Sequence, residues 1–216
     1  MLKPHCWRIL HALTSVVAVA APLCAQTTVN VGPSFGYYRP FGHFDPASVY
    51  STSLPTTPSD LGGFAWGGAA QITFGRRLGA EAKVSVANST IPGGNTPFGP
   101  RGPTSAQVVS VTVEAQYQVS PTPETYRVWL SAGPGLIRHC GDAYAPYGSP
   151  TSVGGALGVG ISLPIGFRLQ IAADATTLLY SFDVKMPPEL QGNPGSLQHG
   201  NQTDALVHLG VRWGLP

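Results

Sequence analysis

Residues 107–119 form one apolar edge and one edge that is polar apart from Val108. Val109, Val111 and Val113 fall on one edge of this segment, while Ser110 and Glu114 fall on the other. A period of two over such a length predicts a β-strand with one apolar and one polar face. Two arrangements are compatible with it: an apolar face packed in a protein core with the polar face in water, or an apolar face in lipid with a polar interior.

The same alternation recurs along the rest of the chain and predicts eight strands of about ten residues, a length that suits a membrane-crossing β-strand. Eight is also the smallest even number of strands that closes into a barrel in an outer membrane. No helical period competes with this pattern beyond the N-terminal segment. The predicted strands lie in residues 28–38, 64–74, 78–88, 107–119, 126–138, 153–163, 167–180 and 204–215.

The connections between these segments alternate in length. Short turns are predicted at 75–77, 120–124 and 164–166. Long polar stretches separate them, at 39–63, 89–105, 139–152 and 185–202. Alternation of long loops and tight turns is typical of an antiparallel up-and-down barrel that carries its loops on one rim.

Charged residues in the interior of the predicted strands all fall on the polar face, which is otherwise made mostly of Gly, Ala, Ser, Thr and Gln. The outer face of a soluble barrel is expected to be rich in Lys and Glu, whereas only 10% of this chain is charged. The pattern therefore favours lipid outside and a crowded lumen in which charges pair. A soluble periplasmic lipocalin-like binding barrel is the alternative. The charged strand residues are Glu81, Lys83, Glu114, Arg127, Arg168, Asp174, Asp204 and Arg212.

Aromatic residues of the apolar face gather at both ends of the predicted strands, and aliphatic residues occupy the middle. Two aromatic girdles around an aliphatic belt are typical of a lipid-facing wall. One group is near the long loops and the other near the short turns: Phe35, Tyr37, Phe64 and Trp66, and then Phe74, Tyr117, Tyr126, Phe167 and Trp213.

The N-terminus has the three parts of a secretory signal. Lys3 and Arg8 give a basic start, residues 9–22 an apolar middle, and Ala25 a cleavage point. The sequence thus predicts a cleaved signal peptide at 1–25 and a barrel domain at 26–216. Cleavage removes Cys6 and Cys24, so no disulfide is expected within the exported chain, and Cys140 is placed in the third loop.

At this point the chain resembles the small eight-stranded outer-membrane β-barrel family, which includes OmpX, OmpW and the transmembrane domain of OmpA. The resemblance covers residues 26–216 and rests on the architecture and on the closing segment 205–215, which is similar to the family's terminal assembly strand. The family usually ends on an aromatic residue, but here Leu215 and Pro216 come last and Trp213 is the final aromatic.

The resemblance implies an all-β, eight-stranded transmembrane barrel in the bacterial outer membrane. It also implies contact with outer-membrane lipids and lipopolysaccharide, and insertion by the barrel assembly machinery. An extracellular ligand at the loops is possible in such a protein. A nucleic-acid partner is not expected, because the formal charge is only +2 and no basic cluster with interleaved aromatics occurs.

The candidate chemistry within the strands has a structural interpretation in each case. Residues 154–160 are glycine-rich, but their order differs from a nucleotide-binding loop; small residues there would leave room for Trp129 or an arginine. His208 with Asp174, Glu114 and Arg212 could form a proton path, although a network of ion pairs filling the lumen is favoured. No catalytic, cofactor-binding or metal-binding residue is assigned.

The loops offer two weak candidates for other activities. Two histidine–aspartate pairs, His43 with Asp45 and His139 with Asp142, could hold a metal weakly. A lipid A-modifying enzyme would need a Ser, His and carboxylate near the outer interface, and the only set available is Ser51, Ser53, His43 and Asp45. We expect no enzymatic activity.

The sequence therefore predicts a structural or surface-interaction protein that acts through four long extracellular loops. Side chains fill the lumen of a barrel of this strand number, which argues against an open water-filled pore. A conduit of the OmpW type for small or hydrophobic solutes is the alternative function.

Overall fold

The structure is a computed structural model of the chain. It describes residues 27–41, 62–91, 94–96, 99–101, 103–120, 125–142, 144, 151–184 and 198–215. Within this described part, no helix has the length and hydrophobicity to span a membrane. The predicted signal peptide at 1–25 and most of the first predicted loop lie outside these residues and stay predictions.

The chain forms a closed antiparallel barrel of eight strands, and two short strands pair separately. Each barrel strand pairs with its neighbour in the chain, and the last strand closes onto the first. The predicted eight-stranded antiparallel up-and-down transmembrane barrel is thereby confirmed. The strands are β1 (Thr27–Pro40), β2 (Gly63–Phe74), β3 (Leu78–Ile91), β4 (Gly94–Thr96), β5 (Gly99–Arg101), β6 (Thr104–Gln118), β7 (Arg127–Cys140), β8 (Thr151–Pro164), β9 (Leu169–Val184) and β10 (Gln198–Gly214).

The barrel strands are longer than the ten residues that the alternation predicts. They contain 12 to 17 residues, whereas about 9–11 tilted residues cross a bilayer. The excess lies on the long-loop side, where β9 and β10 stay paired as far as Val184 and Gln198. The outward face becomes polar in this region: Ser181 Oγ lies 3.3 Å from Asn201 Oδ1.

Parts of the predicted long loops are therefore regular strands. In the second predicted loop, β3 and β6 remain paired to Ile91 and Thr104, and β4 and β5 form a small hairpin between them. Sequence reasoning was wrong about these boundaries because Gly, Pro, Ser and Thr indicate a loop by composition. A strand that has left the membrane no longer needs an apolar face, so its alternation disappears.

Two prolines lie inside barrel strands, although a proline in a β-sheet is usually confined to an edge strand. Pro33 lies in β1, and the β1–β10 ladder skips from Val31 to Ser34. Pro134 lies in β7, and the β6–β7 ladder skips two residues there. A closed barrel has no edge, and proline has no N–H to donate, so each proline coincides with a gap in one ladder.

The outward face of the barrel is apolar and exposed, as the alternation predicts. Leu157, Val159 and Ile161 of β8 are 41–53% exposed, and Phe64 and Trp66 of β2 are 58% and 40% exposed. The inward face carries the buried Glu81, Lys83, Glu114, Asp174, Asp204 and Arg212. The orientation with lipid outside and polar groups inside is confirmed.

Three outward positions and one predicted lumen residue depart from this pattern. Val86, Val109 and Cys140 form a separate buried cluster where β3, β6 and β7 meet. Arg168 lies in the bend before β9, is exposed, and stacks over the ring of Phe167 at 5.3 Å. Its predicted place on an inward strand face was wrong, because β9 begins one residue later.

Cys140 is the last residue of β7 rather than a loop residue, and it is disulfide-bonded in the full-length chain. The other two cysteines of the sequence, Cys6 and Cys24, lie outside the described residues. The expectation of no disulfide concerns the exported chain, from which Cys6 and Cys24 are removed. For a chain cleaved after Ala25 it stays a prediction.

A charge placed on the outward face should destabilise the barrel according to its depth. We expect Val159→Arg, in the middle of β8, to lower the free energy of unfolding by about 2–4 kcal/mol, because a guanidinium at the bilayer midplane is poorly solvated. Val153→Arg, on the same face near the loop end, should cost only about 0–1 kcal/mol. Urea unfolding in phospholipid vesicles measures both, and equal costs would contradict the orientation.

Candidate functional site in the barrel lumen

The lumen contains two groups of buried polar side chains separated by an apolar group. Near the short turns lies the charge cluster, near the loops lies the tyrosine cluster, and the apolar layer lies between them. The charge cluster consists of Glu81, Lys83, Glu114, Asp174, His208 and Arg212. The apolar layer consists of Ala65, Ala87, Val108, Ile137, Ala156, Leu178 and Leu206, and the tyrosine cluster of Tyr38, His139, Tyr180, Gln202 and Asp204.

Lys83 is the centre of the charge cluster. Its Nζ lies 3.0 Å from Glu114 Oε1, 3.1 Å from Asp174 Oδ1 and 3.9 Å from Glu81 Oε2. It also donates to Thr176 Oγ1 at 2.6 Å. The ammonium group comes from β3 and its partners from β3, β6 and β9, so the interaction crosses the lumen and ties opposite walls together.

Arg212 supplies the second cation and extends the cluster toward the short turns. Its Nη2 lies 2.5 Å from Glu81 Oε1 and 3.9 Å from Asp174 Oδ2. Its guanidinium stacks over the Trp129 ring at 5.2 Å. A Cβ added at Gly160 would lie 2.5 Å from Trp129 Cε2, which confirms that the small residues of β8 leave room for this indole.

Hydroxyl and amide groups occupy the remaining positions around the carboxylates. Ser131 and Thr112 both donate to Glu114, Thr112 at 2.6 Å. Gln116 donates to Glu81 Oε2 at 2.7 Å, and Gln71 donates to Gln116. This arrangement satisfies buried oxygens that would otherwise destabilise the barrel.

His208 is a buried member of the charge cluster. Its Nε2 lies 3.1 Å from Ser85 Oγ, and its Nδ1 lies 3.7 Å from Asp174 Oδ1. His208 is 4% exposed and Asp174 8%. The set that sequence reasoning proposed, His208 with Asp174, Glu114 and Arg212, is thus brought together, and its geometry is that of a buried ion-pair network.

The apolar layer closes the lumen above the charge cluster. Ile137 and Leu178 are fully buried, and Val108 and Leu206 are 6% and 3% exposed. All four are at inward positions where the strand pattern otherwise places polar or small residues. They come from β6, β7, β9 and β10, so they meet across the bore.

The tyrosine cluster lies at the loop end of the lumen and was missed by sequence reasoning. Tyr38 and Tyr180 donate to the same oxygen of Asp204, at 2.7 and 2.6 Å. Gln202 donates to its other oxygen at 3.0 Å, and Tyr180 also bonds His139 Nε2 at 3.2 Å. Both tyrosines lie at the ends of predicted strands, 28–38 and 167–180, where the period of two places them on the polar face.

Of the remaining candidate residues, His139 and Asp142 lie in the described part of the chain. His139 is buried against Tyr144 and Tyr180, whereas Asp142 accepts a hydrogen bond from Ser105. Among the residues that the structure describes, no group of three or more His, Cys, Asp or Glu side chains could hold a metal. The set of His43, Asp45, Ser51 and Ser53 lies outside the described residues.

Comparison with solved structures gives the same fold. The crystal structure of Neisserial surface protein A (NspA) has 16% sequence identity and a TM-score of 0.56, with 87% of this chain and 98% of that chain covered. AlkL, an outer membrane protein solved in lipid bilayers, has 11% identity, a TM-score of 0.49 and 90% and 94% coverage. Ail of Yersinia pestis, in complex with a heparin analogue, has 10% identity, a TM-score of 0.44 and 87% and 97% coverage.

Comparisons by sequence find no matching family model and no matching curated protein. The similarity is therefore one of fold. The chain has the fold of the small outer-membrane β-barrels.

Removing Lys83, the central cation of the charge cluster, should show how much the cluster contributes to the stability of the barrel. We expect Lys83→Met to lower the free energy of unfolding by about 3–5 kcal/mol, because it leaves buried carboxylates uncompensated. Adding Glu114→Gln to Lys83→Met should restore part of the loss, since one of those charges is then removed. Urea unfolding in vesicles of each single and the double variant gives the coupling energy.

The control for this cycle is Arg76→Met, which removes a cation from the exposed β2–β3 turn. Exposed charges contribute little to stability, so this variant should unfold like the parent. Additive effects of Lys83→Met and Glu114→Gln would contradict a shared network.

Proposed function

We propose that this chain is a bacterial outer-membrane β-barrel protein that does not conduct solutes through its lumen and acts through its loop end. Its role is structural or one of surface interaction. The observation that carries this proposal is the apolar layer across a closed bore. Its partners are outer-membrane lipids and lipopolysaccharide around the wall, the assembly machinery during insertion, and an extracellular ligand at the loops.

The composition of the wall supports a membrane location. Large apolar side chains cover the outward face of all eight barrel strands, and aromatic residues lie at both ends of it. Phe35 and Tyr37 pair with Trp66 and Phe64 at the loop end. A surface of this kind would aggregate in water, whereas in a bilayer it is solvated by lipid.

The three groups inside the lumen support a closed barrel. Water crossing the lumen would have to pass the charge cluster around Lys83, then the apolar layer with Ile137 and Leu178, and then the tyrosine cluster around Asp204. Opening the first group separates buried ion pairs, which costs several kcal/mol. Opening the second exposes buried apolar side chains to water. Neither cost is recovered by passage of a small ion.

The placement of titratable groups supports a non-enzymatic role. The two histidines whose side chains are described, His139 and His208, both lie in the lumen and contact buried partners. Neither reaches the lipid face, where an enzyme acting on lipid A would need its base. The inward location also separates them from solutes outside the cell.

The extended strands support a role for the loop end. The β9–β10 ribbon continues for eight paired positions beyond Leu206 and Thr176, to Gln198 and Val184. A paired ribbon fixes the positions of its two strands, which reduces the conformational entropy lost when a ligand binds to them. The barrel then serves as the membrane anchor of a rigid extracellular support.

Conductance in a planar bilayer tests the closed lumen. We expect the folded protein to give a flat trace at all voltages, because the charge cluster and the apolar layer block the bore. Folding is verified beforehand by heat-modifiable migration on a gel, and a large porin in the same membrane is the positive control. Stable, reproducible channel openings would instead favour the OmpW-type conduit.

Deletion of residues 45–60 from the first predicted loop tests the surface-interaction role. Proteoliposomes of the intact barrel are applied to an array of immobilised glycans and proteins. We expect the deleted barrel to lose binding signals that the intact barrel gives on this array. The matched control carries the same sixteen residues in scrambled order, which preserves length and composition. Identical array profiles for all three proteins would count against this role.

A further inference from the structure

The tyrosine cluster contains a buried carboxylate whose hydrogen-bond partners among the described residues are all neutral. Asp204 is fully buried, and its oxygens accept hydrogen bonds from two phenols and one amide. The charge cluster differs, because each carboxylate there lies beside Lys83 or Arg212. A buried carboxylate without a cation is costly, so Asp204 has the character of a group that meets a cationic ligand.

The donor atoms around this carboxylate are spaced like the ligands of one metal ion. The hydroxyl oxygens of Tyr38 and Tyr180 lie 2.7 and 2.6 Å from Asp204 Oδ2. Tyr180 Oη also lies 3.2 Å from His139 Nε2, and Gln202 holds the other carboxylate oxygen at 3.0 Å. In an octahedron with metal–oxygen distances of about 2.0–2.1 Å, neighbouring ligands are about 2.9 Å apart. The contacts in the tyrosine cluster therefore match the edges of a coordination polyhedron.

Barrel strands, and not loops, hold these donors. Tyr38 comes from β1, His139 from β7, Tyr180 from β9 and Asp204 from β10. On β8, Gly154 pairs with Tyr180, and a Cβ added at this glycine would lie 2.6 Å from Tyr180 Cβ. The glycine thus leaves the space that Tyr180 occupies, and the ladders of the barrel keep the donors in place. Donors held in this way lose little conformational entropy when they bind a ligand.

The charge of the donor set matches a trivalent ion. When both phenols give their protons to solvent, two phenolates and the carboxylate of Asp204 carry three negative charges, and a neutral imidazole adds none. A ferric ion makes this buried complex neutral, whereas a divalent ion leaves one negative charge unbalanced or one phenol protonated. Oxygen ligands suit hard cations, and tyrosine is a known iron ligand in proteins. Binding forms four metal–ligand bonds, releases two protons and changes no oxidation state.

We propose that the tyrosine cluster binds one structural ferric ion through both phenols, the carboxylate of Asp204 and the imidazole of His139. Every one of these donors is buried, so the ion is enclosed while the barrel closes. It ties β1, β7, β9 and β10 together at the loop end. The inference goes beyond the proposed function, because it requires neither conduction through the lumen nor a ligand at the loops.

Visible absorption of the refolded protein tests the proposal, because a phenolate bound to ferric iron gives a charge-transfer band that carboxylate and imidazole ligands do not give. The barrel is folded in dodecyl maltoside with ferric nitrilotriacetate present, and a chelating resin then removes loosely held iron. We expect one iron per folded barrel and a visible band. The double variant Tyr38→Phe with Tyr180→Phe should lose the band completely. Asp204→Asn should lower iron retention against citrate at least about tenfold, because loss of a group that only orients a ligand already costs that much.

The matched control is Tyr37→Phe, which removes a phenol from the adjacent position on the lipid-facing side of β1, where the side chain is 53% exposed. Iron content and the visible band should stay at the parental level in this variant. Phenylalanine keeps the aromatic ring at each substituted position, and heat-modifiable migration verifies that each variant has folded. An equal loss of the band in Tyr37→Phe would overturn the proposal in favour of iron held at the barrel surface.

Three further outcomes would overturn the proposal. A folded parent without retained iron would show that the tyrosine cluster is a hydrogen-bond network alone. Retained iron without a visible band would show that other donors hold the metal. Zinc is added in place of iron in a separate sample, and equal retention of zinc would overturn the ferric assignment. Conductance and array binding are measured independently, so failure of the iron site and failure of the proposed function give different results.

Discussion

The constraint on which this structure depends is that a backbone within lipid must satisfy its own hydrogen bonds. Water is absent from the hydrocarbon region, so an open sheet edge there would leave N–H and C=O groups unpaired at a cost of several kcal/mol each. The pairing of β10 with β1 removes the edges. Even the two interior prolines obey this constraint, because each lies at a gap in one ladder and leaves the rest of the pairing intact.

Closure then determines where the polar side chains go. Since the outward face must be apolar, a charge carried by the membrane-crossing part of a strand is directed into a narrow lumen. There it must meet an opposite charge, and the three carboxylates around Lys83 and Arg212 do so across the bore. Ion pairing in this barrel is therefore a consequence of its membrane location, and it needs no catalytic or transport role to explain it.

The two ends of the barrel differ for the same reason. At the loop end the strands continue past the membrane, and Tyr38, Tyr180 and Asp204 satisfy one another inside the ribbon. At the opposite end the strands stop close to the membrane surface, and the guanidinium of Arg168 remains on the rim. Function is consequently expected at the ends of the cylinder, since the middle is occupied by apolar side chains.

Alternation along the chain was sufficient by itself to predict the eight strands, their direction, the lipid-facing side and the space beside Trp129. These features follow from a period of two, which is a local property that each segment carries in its own residues. The loop boundaries could not be obtained in this way, because outside lipid the alternation fades and Gly, Pro, Ser and Thr suit both strands and loops. Only the tertiary structure decided which charges meet: Lys83 and Asp174 are 91 positions apart, and Tyr38 and Asp204 are 166 apart. It also decided that Ile137 and Leu178, which interrupt the inward polar pattern, form one apolar layer, because that contact exists only after the barrel has closed.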